Sequence, residues 1–207
     1  MLVVSEVLQS QEETRSHPWD VTAYADGGGA YYNFVERPEL IPKVLEDFLP
    51  FADRSAVRRF YGLLWDLNAA DAPFESNDCA LQEPIANTNA LFRYALEASG
   101  RLEIFYREQH INTHRDSLLW LSRMIQLYLQ LYRKDFDKGV VSITAAPTEY
   151  VFVADPYGPG YRLRLTFHAY GDSEDEVWGN LDVVFAGMAQ AIARAAEGTR
   201  VETPAFP

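Results

Sequence analysis

Two stretches of this chain share one pattern, in which two alternating strands joined by a glycine turn lead into a capped helix. That pattern restricts the fold more than any other feature. In the first stretch Phe92, Tyr94 and Leu96 alternate with Arg93, Ala95 and Glu97, and Leu102, Ile104 and Tyr106 alternate with Arg101, Glu103 and Arg107. Successive side chains of a strand point to opposite faces, so each run has one apolar face. A three-residue turn, Ala98-Ser99-Gly100, sets Leu96 against Leu102, Tyr94 against Ile104 and Phe92 against Tyr106, with Gly100 at the left-handed position. Thr113, followed three residues later by Asp116, predicts a helix start, and the helix continues to about Arg133. Leu118, Leu121, Ile125, Tyr128, Leu129 and Tyr132 make its core stripe. Leu119, Trp120, Met124, Leu127 and Leu131 extend the apolar surface around most of the circumference, which predicts a central helix covered on several sides.

The second stretch uses Tyr150 to Ala154, a loop from Asp155 to Gly160, and a strand in which Tyr161, Leu163, Leu165 and Phe167 alternate with Arg162, Arg164, Thr166 and His168. Ser173 and Glu176 form its capping box. The final helix carries Val177, Leu181, Val184, Phe185, Met188, Ile192 and Ala195 on one face, with Gly198 as its stop. Side-chain identity between the two stretches is low, so recurrence of a ββα unit explains the pattern at least as well as duplication does.

Upstream, Val21 to Ala25 and Ala30 to Val35 flank Asp26-Gly27-Gly28-Gly29 as a possible hairpin. Pro38 opens a helix that runs through Leu45 and Phe48 to Pro50. Asp53 is positioned to cap the next helix, on which Val57, Phe60, Tyr61, Leu64 and Leu67 share a face. Residues 71 to 89 read as a connector with an edge strand around Cys79 to Leu81, and Val140 to Ala145 read as a further strand. The expected fold is α+β: an antiparallel sheet of about five to six strands built from two ββα units, covered on one face by helices, with an additional N-terminal helix pair. It is expected as a single domain over 1–207, with N-terminal strands and loops over 1–37 and the helix pair over 38–69. The first ββα unit with its connector takes 70–135, the second 139–198, and a tail 199–207.

A chain of 207 residues that is 48% hydrophobic can bury a full core. The first residues lack the basic region of a signal peptide and no uncharged apolar run reaches the length of a membrane span, so a cytoplasmic protein is expected. The formal net charge of −12 opposes binding to nucleic-acid phosphates or anionic membranes. A basic protein partner fits this charge. Two segments without a basic residue concentrate the acid: Asp66, Asp71, Glu75, Asp78 and Glu83 in the first, and Asp172, Glu174, Asp175, Glu176 and Asp182 in the second. Either could be a partner-binding surface or plain solvated charge.

Motifs for chemistry are sparse, and no cofactor or metal is indicated. Gly27-Gly28-Gly29 lacks the lysine and hydroxyl of a phosphate loop. The lone Cys79 stands beside Asp78, which opposes a thiolate. His110 and His114 have helical spacing for a metal, but the expected cap at Thr113 lies between them. Arg162, Arg164 and His168 project to one side of their strand, where Arg93 or Arg101 could join them as an anion-binding strip. On an open sheet face the same residues would instead pair with Glu97, Glu103 and Glu149. No catalytic residue stands out. The reading from sequence is a non-enzymatic inhibitor or immunity-type protein that neutralises a basic partner. The alternative is a binding protein or enzyme for a small anion.

Overall fold

The computed structural model of the protein describes residues 1–9, 16–17, 34–46, 48, 50–150 and 158–201. Its strands are β1 (Leu2–Val7), β2 (Ser16–His17), β3 (Phe74–Leu81), β4 (Ile85–Ala86), β5 (Leu96–Tyr106), β6 (Gly139–Tyr150) and β7 (Gly158–Gly171). Its α-helices are α1 (Ile41–Glu46), α2 (Ser55–Leu67), α3 (Arg115–Leu131) and α4 (Glu174–Val201). Together they make an α+β fold around one mixed sheet ordered β1-β6-β7-β5-β3, with the two-residue strands β2 and β4 paired to β6 and β5.

Residues 96 to 106, expected to turn back at Ala98-Ser99-Gly100, form a single strand instead. Gly100 pairs with Leu81 on one side and Phe167 on the other. A Cβ there would stand 2.1 Å from the Ala80 carbonyl oxygen and 2.5 Å from the Phe167 ring. The glycine thus serves close approach inside a sheet, a role as compatible with sequence as a turn. The apolar alternation before it has a different cause: Phe92 stacks on Tyr170 at 4.2 Å, and Asn87 Nδ2 donates to the Phe92 and Tyr94 carbonyls at 2.8 and 2.9 Å.

β5 and β6 both lie antiparallel to β7, so they run parallel to each other, and α3 connects them. The first stretch is therefore half of a split β-α-β arrangement with β7 inserted between its strands, and not a ββα unit. β1 pairs with β6 in parallel, which makes the sheet mixed where an antiparallel one was expected. The strand expected at Val140 to Ala145 extends over Gly139–Tyr150 as the twelve-residue β6, so Tyr150 closes this strand where it was expected to open the next one. Val151 to Ala154, the glycine run and most of its flanking hairpin lie outside the described residues.

One sheet face carries the core. Val141, Ile143, Ala145, Leu163, Leu165, Phe167, Leu102 and Ile104 are buried there against Leu118, Leu121, Ile125 and Leu129 of α3 and the Val177-to-Ala195 face of α4. Each such aliphatic or aromatic side chain contributes roughly 1.5–3 kcal/mol on burial. Ser173 Oγ accepts the Glu176 N–H at 3.3 Å and Glu176 Oε2 accepts the Asp172 N–H at 2.8 Å, so the start of α4 is doubly capped. At α3 the Thr113 hydroxyl instead donates to the His110 carbonyl at 2.7 Å, and His114 precedes the helix without a side-chain cap. Gly198 does not stop α4, which runs to Val201; it faces the Trp120 ring, as Gly187 faces Tyr132. These two contacts set α3 and α4 antiparallel and close together.

The N-terminal helices are not a self-contained pair. Pro38 opens a short 3-10 turn, α1 has six residues, and α2 is bound chiefly to α4. Arg54 meets Asp175 at 2.6 Å, Arg59 meets Asp182 at 2.8 Å, and Phe60 packs 5.0 Å from Phe185. Asp53 pairs with Arg58 rather than capping α2. Among the described residues no helix is long and apolar enough to cross a membrane.

Candidate functional site

The sheet face away from α3 and α4 carries Arg162 and Arg164 from β7 and Glu103 from β5, directly opposite Arg164 in the register. Glu103 is fully buried, and its Oε1 accepts from Arg162 Nη1 at 3.0 Å and from Arg164 Nη2 at 2.7 Å. One extra residue in β3 between Ser76 and Cys79 makes a bulge. It turns Asn77 toward Glu103 Oε2 at 3.4 Å and Asp78 toward Arg101 at 2.7 Å. Two cations of the proposed anion strip thus rest on a buried carboxylate, and a third basic residue of that face on another. His168 is half-buried on the same face, and burial holds its imidazole below the usual histidine range. Arg93 is exposed in the segment before β5 and does not belong to this strand set.

The acidic segments separate in space. Glu75 is buried, and Asp78 is held by Arg101. Asp66 and Asp71 are exposed near the end of α2. Asp172, Glu174 and Asp175 are exposed at the start of α4, where Asp175 meets Arg54. Glu176 binds Lys138, which together with the Asp172 N–H holds its carboxyl below the usual range. At 1.5 Å per residue, about 30 Å of helix separates Glu176 from Glu197 near the other end of α4. The two acidic surfaces therefore do not form one ridge.

Asp66 and Asp71 converge on a groove of about 410 Å³ between α2 and α4. Leu63, Leu67, Phe74, Ala189, Ile192, Ala193 and Ala196 line it, together with Glu197, whose carboxylate meets Arg194 at 2.9 Å. Across the Asp71-Ala72-Pro73 wall lies a second cleft, about 660 Å³, with Tyr106, Arg107, Glu108, Asp116 and Trp120. Arg107 fixes that wall: its guanidinium donates to the Ala72 carbonyl at 3.0 Å and the Ala69 carbonyl at 3.0 Å. Asn68 fixes the end of α2, donating to the Leu64 carbonyl and Ser76 Oγ, both at 2.8 Å. The fully buried Asn112 braces the other side, donating to the Tyr106 carbonyl at 2.8 Å and accepting the Tyr106 N–H at 2.9 Å. Arg107, Asn68 and Asn112 carry no sequence pattern that marks this role, because their partners are backbone groups brought together by the fold. Glu197, within α4, likewise joins the Asp66 segment only in three dimensions.

Glu75, next to Arg107, has its carboxyl raised above the ordinary range by burial, against the opposing Gln109 hydrogen bond and Arg107. Gln109 Nε2 donates to Glu75 Oε1 at 2.7 Å, while Gln109 Oε1 is buried without a hydrogen-bond partner. A proton on Glu75 removes the cost of burying its charge. Because the folded pKa lies above the unfolded one, this contribution to stability is fully present below about pH 4.5 and fades as pH rises through the folded value. Glu75→Gln, which carries no charge at any pH, is expected to raise stability at pH 7 by about 1 kcal/mol and to give no gain below about pH 4.5. Urea denaturation at the two pH values checks this, and an equal gain at both would remove the protonation argument.

Cys79 is half-buried, and burial followed by the Asp78 charge pushes its thiol up to about 12, far from a nucleophilic thiolate. His110 and His114 are exposed on either side of Thr113. Among the described residues no three histidine, cysteine or acidic side chains cluster as a metal site. Comparison with protein-family models, curated proteins and solved structures finds no match for this chain.

Proposed function

We propose that this is a non-enzymatic protein-binding protein, of the inhibitor or immunity type, that receives a basic segment of its partner in the α2–α4 groove. The observation that carries this reading is the groove itself: small and apolar side chains beside the exposed carboxylates of Asp66 and Asp71, with Glu197 alongside and paired with Arg194 at 2.9 Å. A lysine or arginine side chain is built to match, with an aliphatic stem for Ala189, Ala193 and Ala196 and a cationic head for the carboxylates. The net charge of −12 would speed the approach of a basic protein, while close packing in the groove would set its residence time. The acidic start of α4 is a separate surface about 30 Å along the helix and serves steering at most.

The test is a pulldown of the tagged chain from its native host, compared with the double variant Asp66→Lys/Asp71→Lys. A stoichiometric basic protein should co-elute with the wild type, dissociate as salt is raised, and be lost by at least about tenfold from the variant, the loss of two charge-assisted contacts. A complex that survives the double reversal would sink the groove as the binding site. Reversal of Glu174 and Asp175 is expected to slow association without abolishing binding.

A further inference from the structure

Trp65 breaks the division of α2 into a buried apolar face and a charged one. Phe60, Leu63, Leu64 and Leu67 are buried on that helix, whereas Trp65 is 48% exposed and its indole makes no ring contact or hydrogen bond among the described residues. Its neighbour Asp66 is exposed too, and that carboxylate has no hydrogen-bond or ion-pair partner among the described residues. At 100° per residue, Gly62 lies on the arc between them, about 60° from Trp65 and about 40° from Asp66. Helical side chains lean toward the N-terminus, which carries the indole and the carboxylate over the turn at Gly62. A Cβ on Gly62 would meet nothing within 4 Å, so the surface there is open. The two arginines of the preceding turn are committed elsewhere, Arg58 to Asp53 and the Ala52 carbonyl, Arg59 to both carboxylate oxygens of Asp182. The unpaired charge beside the indole is therefore the negative one of Asp66.

We propose that Trp65 and Asp66 make the outer end of the α2–α4 groove selective for arginine: a guanidinium of the partner lies on the Trp65 indole over Gly62 and pairs with the Asp66 carboxylate. Asp66 also lines the groove, so one residue joins the two subsites. A guanidinium is planar and weakly hydrated, and it stacks on an indole while its edge still donates to a carboxylate. A lysine ammonium is a compact, strongly hydrated charge that must give up more water for the same ring contact. Tryptophan and arginine are also the side chains that most often carry the affinity of a protein interface. The absence of a side chain at position 62 leaves the place that the guanidinium takes. This inference rests on the groove reading and adds to it the class of basic residue that the partner presents.

The probes are tri-arginine amide and tri-lysine amide, titrated into the isotope-labelled full chain. Nuclear magnetic resonance reads the Trp65 indole N–H, identified by its loss in Trp65→Phe, together with the groove amides of Ala193 and Ala196. Tri-arginine is expected to move both sets of signals and to bind about threefold more tightly than tri-lysine, the effect of an exposed cation–π contact. Trp65→Ala should bring the tri-arginine affinity down to that of tri-lysine. Gly62→Leu should do the same by filling the open surface, and it favours the helix, so a fold defect does not imitate the result. Equal affinity for the two peptides, or groove amides that move while the Trp65 signal stays still, overturns this inference and leaves the groove reading standing. If neither set of signals moves with either peptide, both readings fail.

Discussion

Glu103→Ala is expected to destabilise the protein by about 3–5 kcal/mol, a large part of the 5–15 kcal/mol that holds a typical domain together. The carboxylate has no exposed surface, Arg162 is 4% exposed, and both Arg162 and Arg164 donate to the same Glu103 oxygen. Removing the anion takes from both guanidinium groups the carboxylate oxygen they share in a buried setting, and the loss of that common partner where water cannot replace it sets the cost. At this chain length the melting temperature should fall by about 10 °C. Replacing all three charged residues with apolar ones of similar volume, Glu103→Leu/Arg162→Met/Arg164→Leu, should recover most of the loss, because the desolvation cost disappears together with the attraction. Urea and thermal unfolding measure both. A loss under about 1 kcal/mol for Glu103→Ala would show that water reaches the cluster and that the strip keeps free cationic character.

Gly100→Ala tests the topology directly. In a three-residue hairpin turn the change would cost about 1 kcal/mol, through loss of the left-handed conformation alone. In β5 the new methyl would collide with the Ala80 carbonyl oxygen at 2.1 Å and the Phe167 ring at 2.5 Å, and the first of these is backbone that cannot turn aside. The expected loss is about 3 kcal/mol or more, with β3 displaced from the edge of the sheet. Phe167→Leu added to it should relieve the ring contact and leave the carbonyl clash, so the double variant should recover only part of the loss. Full recovery would place the obstruction in the side chain alone. A cost near 1 kcal/mol for the single variant would return the hairpin to consideration. Because β3 supplies Ser76, Phe74 and the bulge, displacement of that strand should also loosen the α2 end and the groove beside it.

These two sites show how far the chain could be read before its structure. Alternation placed Leu163, Leu165 and Phe167 inward and Arg162, Arg164 and His168 outward, because a side-chain period of two is a property of the strand itself. Helical spacing placed the buried face of α4, and the Ser173–Glu176 cap marked its start, because both depend on residues within one or two turns of each other. The acid of Asp66 and Asp71 was visible as composition. Its meeting with Glu197 across the groove was not, since no local rule links positions so far apart in the chain.

The sequence by itself therefore determined the class of the fold, the inward faces of β7 and α4, and the acidity that any partner must match. Each of these follows from local periodicity or from summed charge. The tertiary structure alone decided that Gly100 lies within a strand, that β1 pairs in parallel with β6, that β7 separates β5 from β6, and that Glu103 neutralises the arginines. A glycine satisfies a turn and a close contact equally well, and strand order depends on contacts between distant segments. An arginine on an alternating strand is a ligand site or half of an ion pair according to the residue that the neighbouring strand places opposite it.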